Sequence, residues 1–117
     1  MKANEVLNNF GAEFISGVRD RTIDNIEMIL SGKMKSDEAS ELFRKVNDLD
    51  EKYLSVIREL IMKAIDNELF NILMFFEQSD EYAIHYQDEN INELSDGLAG
   101  ELYSDAGWIA KYSKHKG

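Results

Sequence analysis

The run from Asp50 to Gln78 constrains the fold of this 117-residue chain more than any other feature. Its first half places apolar residues on one stripe at helical spacing: Tyr53, Leu54, Ile57, Leu60, Ile61, Ala64 and Ile65. Its second half, from Leu69 to Phe76, is apolar nearly all round, and such a helix is normally buried on every side. The run therefore predicts a core helix that the other segments surround. The expected fold is a single all-α domain, residues 1–117, with four to six helices.

Two polar residues, Glu68 and Asn71, fall on the apolar stripe if this helix continues past Ile65. Because a buried carboxylate without a partner is costly, three interpretations remain open. The helix breaks near Glu68 or its stripe opens to water there, or Glu68 is a functional acid with a raised pKa, or it pairs with a base. Length favours a break. An unbroken helix would be roughly 43 Å long, whereas a compact chain of this size has a radius of gyration of about 13 Å. An unbroken helix would therefore protrude from the compact domain or belong to a dimer.

Helices are also predicted before the central run. Residues 3–31 favour one long helix or two short ones, with Gly32 in the left-handed conformation that ends a helix. A short helix is predicted to begin at Ser36, whose hydroxyl is a typical N-cap group. Asp48 and Glu51 resemble a capping box for the central helix. Short links between these helices indicate antiparallel neighbours.

The periodicity weakens after Gln78. Residues 81–86 favour a short helix capped by Ser79 or Asp80, although the alternation of their apolar residues leaves a turn and an extended segment open. Another helix is predicted to begin at Asp96, and a last helical segment contains Trp108.

The charge of the chain is unevenly distributed along the sequence. The formal net charge is -10; residues 1–63 carry ten bases and twelve acids, whereas residues 64–110 carry eleven acids and no base. This distribution argues against binding to nucleic acids or anionic membranes, which need basic surfaces. It favours attraction to a basic partner or a cation.

Composition also bounds the compartment. The chain has no cysteine, which excludes a disulfide framework. We expect a soluble cytoplasmic protein, because no apolar signal region follows Met1 and the run Leu69–Phe76 is too short to span a bilayer.

Motifs for catalysis and for metal binding are weak. The loop that begins at Asp88 matches the first half of a calcium-binding loop, but Glu93 and Ala99 replace the required glycine and acid. A zinc site is not supported by the two histidines, His85 and His115. We therefore predict no metal and no cofactor. An enzyme that uses Glu68 or His85 is the third-ranked hypothesis.

Aromatic residues alternate with acids in the second half of the chain. Tyrosine and tryptophan anchor interfaces, and carboxylates around them would steer a basic partner. The predicted protein-binding residues are Tyr82, Tyr86, Asp88, Glu89, Glu93, Asp96, Tyr103, Asp105 and Trp108. The alternative is that the aromatic rings cover the core while the acids keep the protein soluble.

The closing stretch from Leu94 to Ile109, which contains Ser-Asp-Gly-Leu-Ala-Gly-Glu-Leu-Tyr, resembles the C-terminal part of small uncharacterised bacterial helical proteins. In charge and size the chain is similar to bacterial toxin-immunity proteins, which block basic nuclease toxins. This resemblance implies a non-enzymatic, protein-binding module of the immunity-inhibitor type. The alternative is a homodimeric structural or regulatory protein that associates through Leu69–Phe76.

Overall fold

A computed structural model describes residues 2–115 of the chain. The all-α class predicted from the sequence is confirmed: helices make up most of the fold, and they are interrupted by one small hairpin whose two strands have two residues each. The elements are α1 (Lys2–Phe14), a π-helical segment (Ile15–Asp20), α2 (Arg21–Leu30), α3 (Asp37–Asn47), α4 (Glu51–Gln78), β1 (His85–Tyr86), β2 (Glu89–Asn90), two 3-10 turns (Ile91–Leu94 and Ala99–Leu102) and α5 (Trp108–Tyr112).

The first helix continues from α1 through the π-helical segment into α2. Phe14 and Asp20, at the two junctions, both keep right-handed helical dihedral angles. Gly32 follows with a φ of +76°, a conformation that glycine adopts without steric cost. Of the two alternatives left open for residues 3–31, the structure has one long helix, and the prediction that Gly32 ends it is confirmed.

The caps of α3 and α4 follow the sequence only in part. The backbone N–H of Ala39 donates to the hydroxyl of Ser36 over 3.2 Å, which confirms the predicted N-cap. The capping box at Asp48 is wrong. Asp48 ends α3, where its N–H donates to the carbonyl of Lys45 over 3.3 Å, and α4 begins three residues later, at Glu51.

The predicted break in the central helix is wrong, since α4 runs unbroken from Glu51 to Gln78. Glu68 and Asn71 lie exposed, so the stripe opens to water at these positions while Leu69 and Leu73 bury the opposite side. The carboxylate of Glu68 needs no buried partner there. The unbroken helix makes the molecule elongated, with a radius of gyration of 16.9 Å and extents of 50 × 29 × 22 Å.

The hydrophobic core lies at one end of the molecule, which we call the packed end: α1, the π-helical segment, residues 64–78 of α4 and residues 84–113. Its buried residues are Val6, Leu7, Ile15, Leu69, Leu73, Ile91, Leu98, Ala99, Leu102 and Trp108. The indole of Trp108 packs directly on Gly11, where an added Cβ would lie 2.4 Å from Cε2 of the ring. The absence of a side chain at Gly11 therefore lets α5 approach α1.

The other end, which we call the projecting end, comprises residues 21–63: α2, α3 and the first half of α4. In this part of the described chain, the buried apolar residues are Ile23 and Ala39. Larger apolar side chains are exposed there: Met28, Leu42, Leu49, Tyr53, Val56 and Leu60. Ile72 and Phe75 are also exposed, at the packed end. The prediction that neighbours surround the central helix on every side is therefore wrong, because the rest of the chain covers only one face of it.

Candidate functional site

Most of the predicted protein-binding residues lie on the surface. Tyr82, Asp88, Glu89, Glu93, Asp96, Tyr103 and Asp105 are exposed, and Tyr86 is half-buried. Trp108 is a correction to the prediction, because its side chain is fully buried and its ring packs edge-on against Phe10 with centroids 5.8 Å apart. Trp108 stabilises the core and is not offered to a partner.

Tyr82 forms an exposed aromatic pair with Phe75. The two rings stack with centroids 5.6 Å apart and an interplanar angle of 27°. Phe75 is 56% exposed and Tyr82 is 59% exposed, although both are large side chains that gain from burial. The hydroxyl of Ser79 accepts the backbone N–H groups of Glu81 and Tyr82 over 3.0 and 2.8 Å, which holds the turn that presents Tyr82. This aromatic pair is thus an ordered apolar feature open to solvent.

Tyr86 belongs to a hairpin, so the helix favoured over residues 81–86 is wrong, and the structure has the alternative, a turn followed by an extended segment. Strands β1 and β2 pair antiparallel with Tyr86 opposite Glu89, and Gln87 and Asp88 between them have φ values of +53° and +65°. Positive φ at both central residues is typical of a type I′ turn, which matches the twist of the strands. Asp88 and Glu89 therefore lie at an exposed hairpin tip.

The side chain of Tyr86 ties this hairpin to α1. Its hydroxyl donates to the carboxylate of Glu13 over 2.5 Å, and its ring packs on Phe10 with centroids 6.0 Å apart. The hydrogen bond to Glu13 raises the pKa of the Tyr86 hydroxyl, and partial burial raises it further.

Tyr103 instead packs on α4. Its ring stacks on Phe70 with centroids 5.9 Å apart, and its hydroxyl donates to the backbone carbonyl of Asp66 over 3.2 Å. Burial raises the pKa of the Tyr103 hydroxyl, and the nearby Asp66 carboxylate adds to the rise. The predicted aromatic residues therefore belong to separate places: Tyr82 beside Phe75, Tyr86 beside α1, and Tyr103 beside the middle of α4.

In the part of the chain that the structure describes, most acidic side chains of residues 64–110 form no ion pair with a basic residue. Among the described residues, Asp66 is the one acid of this segment that forms an ion pair. Two others serve the local fold: Glu77 accepts the N–H of Ala99 over 2.9 Å, and Glu101 accepts the hydroxyl of Ser95 over 2.6 Å. The remaining carboxylates, including those of Asp80 and Glu81 beside Tyr82, leave a strongly negative surface.

A buried polar network, which the sequence did not predict, is centred on Arg19 of the π-helical segment. The guanidinium is 1% exposed. Its Nε and one terminal nitrogen donate to the two carboxylate oxygens of Asp66 over 2.6 and 3.3 Å, in the two-pronged geometry that favours arginine. The other terminal nitrogen donates to the hydroxyl of Ser113 over 2.8 Å and to the carbonyl of His115.

The neighbouring Asp20 completes this network on the side of the C-terminal segment. Its carboxylate accepts the hydroxyl of Ser113 over 2.6 Å and the backbone N–H of Lys114 over 3.1 Å. Asp24, one turn further on, pairs with Lys114 and His115 over 2.8 Å each. Hydrogen bonds from Lys114 and His115 hold the pKa of Asp24 below its usual value. The network therefore fastens residues 113–115 along the first helix.

No local pattern in the sequence points to this network. Arg19 and Asp66 are 47 positions apart, and Arg19 and Ser113 are 94 positions apart. The π-helical turn that carries Arg19 and Asp20 has a geometry often found at functional sites. The hydrogen bonds of Arg19 and Asp20 join the first helix to α4 and to residues 113–115.

An open groove of about 950 Å³ lies between α2 and the first half of α4. Charged residues of both signs line it, Glu27, Arg58, Glu59, Lys63 and Asp66, together with His115. Val56 and Leu60 add apolar surface. Within the described residues, no cluster of three or more potential metal ligands is present. Glu68 and His85, the candidates for catalysis, are exposed elsewhere and are not among the residues that line the groove.

Comparison with protein-family models, with curated proteins and with solved structures found no match. Among the helices that the structure describes, none has both the length and the apolar character that crossing a bilayer requires.

Proposed function

We propose that the chain is a non-enzymatic protein-binding module whose acidic, aromatic surface binds a basic protein. The observation that carries this proposal is the exposed aromatic pair of Phe75 and Tyr82. The pair lies in a segment, residues 64–110, that has eleven acidic residues and no lysine or arginine. An exposed stack of this kind supplies apolar area, and the acids around it supply charge complementarity.

The carboxylates and the aromatic pair would contribute to binding in different ways, and both contributions support a basic partner. Exposed carboxylates attract an approaching cationic surface and raise the association rate, an effect that salt screens. Burial of Phe75 and Tyr82 against the partner would then slow dissociation, because aromatic anchors carry most of the energy in many interfaces. The acids at the hairpin tip, Asp88 and Glu89, are exposed as well and add to the negative charge of this part of the chain.

An immunity-type inhibitor of a basic bacterial toxin is the narrower form of this proposal. The small size, the net charge of -10 and the exposed acids support it, since a basic nuclease must be recognised by an acidic surface. The narrower form predicts that the captured partner is a toxin encoded next to this chain.

Capture from a lysate of the native host tests the proposal. We expect the immobilised protein to retain a basic protein at low salt and to release it at high salt. The affinity of the captured partner should fall at least about tenfold for Tyr82→Ala. Tyr53→Ala is the matched control, since Tyr53 is exposed at the projecting end and lies outside the acidic surface. The proposal is wrong if low salt retains no basic protein, or if both variants bind equally well.

A further inference from the structure

We propose that a second copy of this chain docks on the projecting end, with the first halves of the two α4 helices side by side and antiparallel. This surface is separate from the acidic surface of the proposed function. The inference therefore stands independently of the basic partner.

An apolar stripe on α4 is the first observation. Tyr53, Val56 and Leu60 follow one another at spacings of three and four residues, so they lie on one face of the helix. All three are exposed, and Leu60 is 67% exposed. A helix stripe of this kind normally faces a neighbour, but α2 and α3 do not cover it.

The order of residues along the stripe favours a second copy over an unrelated partner. Two identical helices that pair antiparallel about Val56 place Tyr53 of one copy close to Leu60 of the other, and the reverse contact follows by symmetry. A two-fold interface requires such self-complementarity, because the same patch must face itself. The aromatic ring and the branched side chain would then fill the space on either side of Val56.

Charge complementarity gives the same orientation. Lys52 and Glu59 are seven residues apart and share one side of α4. Antiparallel pairing about Val56 brings Lys52 of each copy near Glu59 of the other, whereas parallel pairing sets like charges against each other. In the antiparallel dimer, one Lys52–Glu59 pair therefore lies at each end of the apolar contact.

The charge of the whole chain explains why the two copies meet at this end. Residues 21–63 carry eight bases and nine acids, so two projecting ends can approach with little net repulsion. Residues 64–110 carry eleven acids and no base, and two such surfaces would repel each other. The dimer we infer keeps the acidic ends apart and leaves them open to solvent.

The structure also relocates the self-association surface predicted from the sequence. Leu69 and Leu73 of the run Leu69–Phe76 are buried in the core, so most of that surface is occupied within one chain. The exposed stripe of the projecting end lies on the same helix but before this run.

Sedimentation across the micromolar range tests the dimer. We expect the wild-type chain to change from monomer to dimer as its concentration rises, and Leu60→Glu to weaken the dimer at least about a hundredfold, because it sets a charge in the apolar contact. Phe75→Glu is the control on the exposed part of the same helix, and we expect it to dimerise as the wild type does. Circular dichroism shows that each variant is folded. A wild-type chain that stays monomeric overturns the proposal, and so does a Leu60→Glu variant that dimerises normally.

Charge reversal and cross-linking test the orientation. Lys52→Glu and Glu59→Lys should each weaken the dimer, and the double variant should restore it because the pairs are re-formed with opposite sign. The chain has no cysteine, so Val56→Cys introduces a single thiol that should form an intermolecular disulfide. Phe75→Cys should not. A double variant as weak as the single ones, or a disulfide at position 75 and none at position 56, rejects antiparallel pairing about Val56.

Two variants separate this inference from the proposed function. Leu60→Glu should keep the salt-dependent binding of a basic protein, and Tyr82→Ala should keep the dimer. If an unrelated protein covers the projecting end instead, the wild-type chain remains monomeric at every concentration.

Discussion

The two halves of α4 differ in what the rest of the chain does with them. Leu73, in the second half, has an exposed fraction of 0%, whereas Leu60, in the first half, is 67% exposed. The two leucines lie in the same unbroken helix. The difference shows that an apolar side chain on a helix is buried only where other elements reach it.

The elements that reach the second half come from both ends of the sequence. The long first helix and residues 84–113 enclose residues 64–78 of α4 in a common core. Among the helices of the described chain, α2 and α3 lie beside the first half, and the two of them pack mainly on each other. The packed end therefore carries most of the hydrophobic stabilisation, and the projecting end is left with exposed apolar surface.

Leu73→Ala and Leu60→Ala test this contrast most directly, and the first should have the largest effect. Removing the buried side chain of Leu73 should lower the free energy of unfolding by about 3–5 kcal/mol, since it leaves a cavity. Leu60→Ala should change it by less than about 0.5 kcal/mol, since the side chain is exposed. Urea unfolding at a concentration that keeps the chain monomeric measures both. Equal losses for the two variants would contradict the division into packed and projecting ends.

Arg19→Met tests the comparison between the packed end and the projecting end where the two meet. The substitution leaves the carboxylate of Asp66 without its cation and the hydroxyl of Ser113 without the guanidinium donor, and should cost about 3 kcal/mol of unfolding free energy. Arg44→Met is the matched control. Arg44 pairs with Glu41 at the exposed surface of α3, where solvent screens the pair, so its loss should leave the free energy of unfolding nearly unchanged. A loss below about 1 kcal/mol for Arg19→Met would show that the network does not stabilise the packed end.

Tyr86→Phe should have the smallest effect, and its sign depends on pH. Because the pKa of Tyr86 is raised above 10.0 by its hydrogen bond to Glu13, the contribution of this bond is fully present below pH 10.0. It is lost as the pH rises through the higher pKa of the folded chain. The difference in stability between wild type and Tyr86→Phe should therefore shrink above pH 10.0 in urea unfolding. Glu13→Gln should weaken the same pH dependence, and an unchanged difference at alkaline pH would exclude this role for the Glu13 hydrogen bond.

Features set by neighbouring residues were predictable from the sequence. The helical run between Asp50 and Gln78 gives the bounds of α4 within a residue, and Ser36 and Gly32 mark helix ends as expected. Each depends on groups a few positions apart, so local propensity and capping determine it.

The candidate site was predictable only in part. The exposure of Tyr82 and of the acids agrees with the sequence, but the burial of Trp108 depends on Gly11, which is far away in the chain. The sequence left an extended segment open before residue 87 but favoured a helix, because Gln87 and Asp88 adopt positive φ without a glycine to signal the hairpin turn. The Arg19 network was missed because its partners lie 47 and 94 positions away.

The amino-acid sequence by itself determined that the chain is helical, where its main helices begin and end, and that its second half is acidic. The physical reason is that propensities, caps and formal charge belong to single residues or to close neighbours. The tertiary structure alone decided which half of α4 is buried, where Trp108 lies and how Arg19 is paired. These depend on which distant segments meet, since burial and ion pairing are properties of contacts between them.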